Sequence, residues 1–313
     1  MIIEIYPPEV PMAKRRKKQP LSIIIVILVL LAGLVVYFNP ELLDMSPEEP
    51  TPPETVEGQV QVHVIDVGQG DAILVTTPDG NMLIDAGDNI ERYEQALKNY
   101  LDALKIKTLD YFVLTHPHAD HIGGADMVLK NYTVKTVIMP DKAATSGVYE
   151  SMLNALEANG ADLELAEPGM TFSIGDLNCK ILAPLKKYSD ANDVSVVIRA
   201  TFGEVSMMFT GDAEGNLEGQ SEKDIIATYS ASELQCDFLK VGHHGSDTST
   251  SPAFLKAVGP KIAAISVGTG NKYGHPVQST LDALSAAAVK TYRTDFEGSL
   301  VFVCDGKTIE YQE

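Results

Sequence analysis

The 313-residue chain has three cysteines and no C-x-x-C pair, which excludes a disulfide scaffold and argues against a thiolate zinc site. Basic residues are also scarce. The 24 lysines and arginines face 43 aspartates and glutamates, leaving a net charge of −19. So acidic a chain lacks the electrostatic footprint of a general nucleic-acid binder, but it is compatible with an enzyme that holds anionic substrates through metal ions. There is a single long apolar run, which excludes a multispanning membrane protein. With 45% hydrophobic and 21% charged residues, the chain has the composition of a folded protein able to bury a sizeable core.

The apolar run sits near the N-terminus. Lys14, Arg15, Arg16, Lys17 and Lys18 precede Leu21–Phe38, which carries no charge. At about 1.5 Å per residue, this run spans roughly 27 Å, close to the bilayer core of about 30 Å. A cleaved signal peptide would need a small-x-small site, and Val36-Tyr37-Phe38-Asn39-Pro40 offers none. A buried core helix would not stand beside five cations. Residues 21–38 are therefore read as an uncleaved transmembrane anchor. The basic segment 1–20 stays in the cytoplasm and the C-terminal part lies outside, in the cell envelope. No cysteine follows the run, so a lipoprotein anchor is excluded. Met12, just before the basic cluster, is the expected translational start.

Residues 39–57 contain five prolines, six acids and no base, a composition that predicts a disordered, extended stalk. Residues 58–313 form the folded domain, with 19 basic against 35 acidic residues and a net charge of −16. Period-two alternation marks a strand at 60–66, and strands at 72–76 and 81–85 follow, joined by Pro78-Asp79-Gly80 as a turn. Helical stretches at 91–104, 122–130, 151–159, 222–230, 252–257 and 280–288 are interspersed with strands at 109–115, 136–139, 176–182, 195–201, 206–210, 236–241, 261–267, near 292 and 300–304. This pattern predicts α/β layers. The segment Ile84-Asp85-Ala86-Gly87-Asp88 is echoed by Phe209-Thr210-Gly211-Asp212-Ala213. Each places an acid just past a buried strand, as two similar halves meeting at one edge would.

The strongest chemical signal is Thr115-His116-Pro117-His118-Ala119-Asp120-His121-Ile122-Gly123-Gly124. Three imidazoles and a carboxylate directly after an apolar strand are ligands suited to Zn²⁺ or Mn²⁺. Burying so many polar groups without an ion would be costly. The two glycines are expected to let the backbone pass close to the metals. His243, His244 and His275 follow in GHHGS and YGHP, whereas His63 lies within a strand and reads as structural. Lys240 is a cation near the site, although a strand-end lysine is usually solvated. Ser246, Thr248 and Ser249 suit either phosphate binding or capping of the helix that begins near Pro252. The cysteines at 179, 236 and 304 fall in strand patterns and read as small buried hydrophobes.

The strings HVIDVGQGDAILV, MLIDAGD, THPHADHIGG, NDVSVVIRA, FTGDAE, LKVGHHGSDTS and NKYGHP together resemble the metallo-β-lactamase fold, and within it the extracytoplasmic hydrolase domain of the ComEC competence proteins and its stand-alone relatives. The resemblance covers nearly all of residues 60–300 and implies a four-layer αββα sandwich with two divalent metal ions, Zn or Mn, at one edge. It further implies that His116 and His118 hold the first metal, that Asp120, His121 and His243 hold the second, that Asp212 bridges both, and that Asp85 braces the histidine loop. No histidine lies between His121 and His243, where many members carry another ligand. Asn192 or Asp193 stands near the first metal instead, which favours an oxygen-ligated site and admits Mn²⁺. In the implied hydrolysis, Asp120 orients the attacking hydroxide and His244 or His275 stabilises or protonates the leaving oxygen. The expected substrate is a phosphodiester or another small anion, with nucleic acid admitted only if a local basic strip exists. A hydrolase of esters, thioesters or lactams, and a non-catalytic envelope binding protein, are the alternatives.

Overall fold

A computed structural model describes residues 58–216 and 219–312. The expected basic N-terminus, anchor and stalk lie outside the described residues. Among the described residues, no helix is long and apolar enough to cross a membrane.

Two sheets form the domain. In chain order the strands are β1 (Val60–Val64), β2 (Ile73–Thr77), β3 (Gly80–Ile84), β4 (Thr108–Val113), β5 (Thr133–Met139), β6 (Asp162–Leu165), β7 (Thr171–Ile174), β8 (Leu177–Ala183), β9 (Val197–Phe202), β10 (Val205–Phe209), β11 (Phe238–Lys240), β12 (Ile262–Ile265), β13 (Lys290–Arg293), β14 (Leu300–Cys304) and β15 (Ile309–Gln312). The first sheet has the order β15-β14-β1-β2-β3-β4-β5-β6 and the second β13-β12-β11-β10-β9-β8-β7. Strands β3 to β6 run parallel, as do β10 to β13.

Three apolar clusters set the layers. Val62, Ile73, Met82 and Ile84 of the first sheet pack against Ile181, Ile198, Met207 and Phe209 of the second. The other face of the first sheet, with Leu74, Leu83 and Phe112, covers Leu97 and Leu101 of helix α1 (Glu91–Ala103), Val128 of α2 (Ala125–Asn131) and Met152 of α3 (Gly147–Asn159). The outer face of the second sheet, with Val197, Met208 and Leu239, covers Ile225 of α4 (Ser221–Thr228), Phe254 of α5 (Pro252–Val258) and Leu284 of α6 (Gln278–Ala286). The result is helices, sheet, sheet, helices. Strands sandwiched in this way are covered on both faces, which is why β1, β2 and β10 are buried along their whole length.

Local chemistry sets the ends of the elements. Thr77 Oγ1 accepts from the Asp79 and Gly80 amides in the predicted turn. Ser146 caps α3, and Gly160 closes it at φ 77°, where a β-carbon would be strained. Ser251 caps α5, with Pro252 in its first turn. His63, fully buried, faces α1 and pairs with the Tyr100 hydroxyl at 3.0 Å; burial depresses its pKa to about 3, so it is a neutral structural residue. All three cysteines are free and buried. Three strands have no counterpart in the sequence pattern: β6, β7 and β15. All are sheet edges of only four residues, and β6 is exposed at every residue, so their alternation is too short to stand out as a strand.

Candidate metal centre

The parallel strands deliver the polar residues to one edge. After β3, Asp85 adopts φ 60° and is fully buried. Its Oδ1 accepts from the Thr115 amide at 2.8 Å, and its Oδ2 accepts from Thr115 Oγ1 at 2.6 Å and from His121 Nδ1 at 2.8 Å. The first two bonds fix the end of β4. The third puts the His121 proton on Nδ1 and leaves Nε2 facing inward. Because Thr115 Oγ1 donates to Asp85, it must accept from His116 Nδ1 at 3.1 Å, so His116 Nε2 is also left free. His118 then approaches that nitrogen, with Nδ1 at 3.1 Å.

One helical turn, Ala119–Ile122, carries Asp120 and His121. Gly123 and Gly124 follow for a reason other than the expected approach to metal. A β-carbon at Gly123 would lie 2.1 Å from the Asn89 nitrogen, and one at Gly124 would lie 2.5 Å from the Ala86 oxygen. The glycines let the helical turn pack on the backbone that follows Asp85.

The second sheet supplies the rest. Asp212 lies just past β10, is 1% exposed, and donates its amide to Ser195 Oγ. Its Oδ2 is 3.3 Å from His121 Nε2, 3.6 Å from His243 Nε2, 3.8 Å from His244 Nε2 and 3.9 Å from His116 Nε2. Four imidazoles from both sheets thus converge on one carboxylate oxygen. Asp85 and Asp212, the two acids of the sequence echo, both sit on His121.

The positions of His243 and His244 differ from those expected. Both have left-handed backbones, with φ 49° and 53°, and their ring centroids lie 6.0 Å apart, each Nε2 facing Asp212 Oδ2. Buried His244, expected to be catalytic, places Nε2 3.4 Å from Asp120 Oδ2 and groups with Asp120 and His121. Its Nδ1 faces the Ser266 carbonyl at 3.0 Å and Asp71 Oδ1 at 3.2 Å. His243, expected beside Asp120, instead lies at the opening, with Nδ1 3.1 Å from Glu214 Oε1 and 3.0 Å from Thr248 Oγ1.

The remaining expectations divide. Asn192 lines the cavity and donates Nδ2 to Glu214 Oε1. Asp193 turns away, accepting from the Gln220 and Ser221 amides at the start of α4. It serves that helix end rather than a metal. His275 is at the opening, its ring 5.6 Å from that of His243. Thr248 orients His243, Ser249 bonds the Ala213 carbonyl, and Ser251 is the cap of α5, so the hydroxyls of this loop are used within the protein. Lys240 is not solvated. It is fully buried, with Nζ 2.8 Å from equally buried Asp71 Oδ2; the contact is electrostatic, and the aligned hydrogen bond of the ammonium goes to the Val241 carbonyl at 2.9 Å.

The donor set fits divalent cations. Asp212 Oδ1, His121 Nε2 and His244 Nε2 are buried without a hydrogen-bond partner. Buried polar atoms left without a partner are costly unless a cation lies among them. Three ligand atoms lie within 4.8 Å of one another in the group His116, His121 and Asp212, and likewise in Asp120, His121 and His244.

Residues 65–269 match the Metallo-beta-lactamase superfamily. The chain belongs to that superfamily. It is 33% identical over 259 residues to ComE operon protein 3 of Bacillus subtilis (strain 168), covering 77% of this chain and 33% of that protein. It is 31% identical over 258 residues to competence protein ComA of Neisseria gonorrhoeae, covering 80% of this chain and 33% of that protein. The chain therefore spans about a third of the length of the curated relatives it matches. Among solved structures, the metallo-beta-lactamase fold protein YhfI from Bacillus subtilis aligns with a TM-score of 0.51 at 14% identity, covering 79% of this chain and 99% of that one, which is a likeness of fold.

Within this superfamily site, sequence reasoning does not find Asp71, Glu214 or the burial of Lys240. Asp71 has a usable signal, an acid in the Gly-Gln-Gly-Asp turn between two buried strands.

The electrostatics predict a pH-dependent centre. Burial alone would lower the His244 pKa, but Asp212, Asp120 and Asp71 overcome it and raise the value to about 9. His121 is likewise raised against its burial by Asp212 and Asp85. Without an ion, His244 is therefore protonated at neutral pH, and metal uptake must expel that proton. Apparent metal affinity should rise about tenfold per pH unit for each proton released, from about pH 6.5 towards 9. Titration calorimetry in buffers of different ionisation enthalpy would count the protons; a flat affinity with no proton release would contradict this electrostatic account.

Proposed function

We propose that this chain is a metal-dependent phosphodiesterase, with residues 21–38 anchoring residues 58–313 at the outer face of the cell membrane. The observation that carries the reading is the convergence of four histidine nitrogens on Asp212 Oδ2. It supports two adjoining ions, Zn²⁺ or Mn²⁺, one held by His116, His118, His243 and Asp212 and the other by Asp120, His121, His244 and Asp212. Bound there, such ions supply Lewis acidity, making water a better nucleophile at neutral pH and offsetting charge on a phosphoryl oxygen.

The residues of the chain do the positioning. A cavity of about 370 Å³ opens onto the centre, lined by Gln69, His118, Asp120, Asn192, Tyr273 and His275 among others. No lysine or arginine lines it among the described residues. An anionic substrate in this acidic domain is therefore held chiefly through the ions, which favours phosphodiesters over neutral esters. Asp120 reaches the cavity with a side chain 29% exposed and can accept a hydrogen bond from attacking water. Burial, together with His243 and His244, lowers the His275 pKa, so its ring is neutral at pH 7 and offers the leaving oxygen an N–H rather than a full charge.

The decisive test is turnover of bis-p-nitrophenyl phosphate by the full chain loaded with Mn²⁺ or Zn²⁺, with nitrocefin and a simple thioester in parallel. Phosphodiester cleavage should exceed both. Turnover of nitrocefin or thioester alone would transfer the assignment to carbon esters and lactams. Protease treatment of intact cells should remove the domain; protection would overturn the envelope location.

A further inference from the structure

A second depression adjoins the metal centre. It has a volume of about 450 Å³, and its lining includes Lys142, Lys186 and Lys187. Its position follows from topology. The histidine loop leaves the C-terminal end of β4. The depression is built from the segments leaving β5 (Pro140–Lys142), β6 (Leu165–Pro168) and β8 (Pro184–Tyr188). Because β4, β5 and β6 are parallel neighbours, their ends lie on one edge, about 5 Å apart per strand. One short turn, Asn192–Val194, joins the two cavities: Asn192 lines the metal centre and Val194 lines the depression. The two cavities thus lie on the same edge, with this turn between them.

The two cavities differ in charge chemistry. The metal cavity has no lysine or arginine in its lining among the described residues, while the adjoining one has three lysines in a domain of net charge −16. Their existing partners hold them loosely. Lys187 pairs with Asp141 at 2.8 Å, but the two side chains are 87% and 65% exposed. Lys186 pairs with Asp224 at 2.6 Å, with side chains 54% and 29% exposed. Solvated pairs of this kind contribute little and exchange readily for another anion. Lys142 donates only to the carbonyls of Tyr188 and Ser189, which ties the segment after β8 to the end of β5, and it has no carboxylate partner among the described residues. Asp141 and Glu167 also line the depression, so its field is local and modest.

We propose that Lys142, Lys186 and Lys187 form an anion subsite for the phosphate next to the scissile one. The preferred substrate is then a linear phosphodiester chain rather than an isolated phosphodiester. This rests on the phosphodiesterase reading above and adds the substrate class. It also supplies the local basic strip that the overall charge of the chain conceals.

The test uses phosphorothioate oligothymidylates, which resist hydrolysis, binding to the full chain with Mn²⁺ present. The dimer carries one anionic linkage and the hexamer five. The wild type should bind the hexamer at least tenfold more tightly than the dimer. Lys186→Ala combined with Lys187→Ala, both at exposed positions, should remove most of that advantage. The log–log salt dependence of hexamer binding should flatten by about 0.7 for each phosphate that is no longer neutralised. Lys142→Met should act in the same direction, with its thermal melt as a check on folding. Turnover of bis-p-nitrophenyl phosphate should be unchanged in the double variant, since that substrate has no second phosphate. Equal dimer and hexamer affinity in the wild type, or an undiminished advantage in the double variant, would overturn the subsite. Failure of the metal-loaded wild type to cleave bis-p-nitrophenyl phosphate would instead strike the phosphodiesterase reading, leaving the binding result to judge the lysines independently.

Discussion

Replacing Asp212 with Asn should strip the protein of bound metal and lower kcat/KM for bis-p-nitrophenyl phosphate by on the order of 10³. The substitution preserves shape and removes only the charge. In the native site Oδ2 lies within 3.9 Å of ring nitrogens of His116, His121, His243 and His244, and Oδ1 has no hydrogen-bond partner. A neutral amide in that place supplies no anion for a cation to bridge, and its NH₂ group meets imidazole nitrogens already oriented as acceptors. Removing Lewis-acid stabilisation worth several kcal/mol corresponds to about three powers of ten in rate. Elemental analysis of dialysed protein gives the direct readout. If Asp212→Asn retained a full complement of metal, the proposal that Asp212 is a ligand shared by two ions would fall.

The second large effect lies beneath the centre. Lys240→Met should destabilise the fold by about 3–5 kcal/mol, because it removes the ammonium partner of the buried Asp71 carboxylate and leaves only His244 to offset the charge. Both residues are fully buried, and Lys240 Nζ is 2.8 Å from Asp71 Oδ2. Burial would push the Asp71 pKa up, but Lys240 and His244 together hold it down at about 2, so the carboxylate stays ionised across the physiological range. For a domain of this size, the expected fall in Tm is roughly 10 °C. Pairing Lys240→Met with Asp71→Asn should recover much of the stability, since replacing both partners removes the uncompensated charge. Calorimetry on the two single variants and the double variant decides this. A Lys240→Met melt within about 2 °C of the wild type would mean that the pair carries little weight.

Composition and pattern are sufficient guides to some parts of this chain and not to others. The interior strands are legible because both faces are covered, which leaves runs of apolar residues bounded by turn chemistry. The ligand loop after β4 is legible because so many imidazoles and carboxylates in a few residues have one economical explanation. The split between His243 and His244 is not legible. It depends on two consecutive left-handed residues, a backbone choice that the string Gly-His-His-Gly permits but does not dictate. Lys240 misleads for a related reason. A lysine at a strand end is normally solvated, and only the fold reveals that Asp71, from the opposite sheet, is there to receive it. Asp193 resembles a ligand by its neighbourhood in the chain, yet the amides of Gln220 and Ser221 claim its carboxylate. Glu214, which bonds both His243 and Asn192, stands in the sequence as one acid among many.

The single shared oxygen of Asp212 gives the centre an all-or-none character. Rings from the end of β4, from the helical turn after it and from the segment after β11 all answer to the same atom, so none holds a private share of the binding energy. Individual deletions will overlap rather than sum. A partly dismantled version has little to recommend it over none, and the whole constellation stands or falls as one cooperative unit.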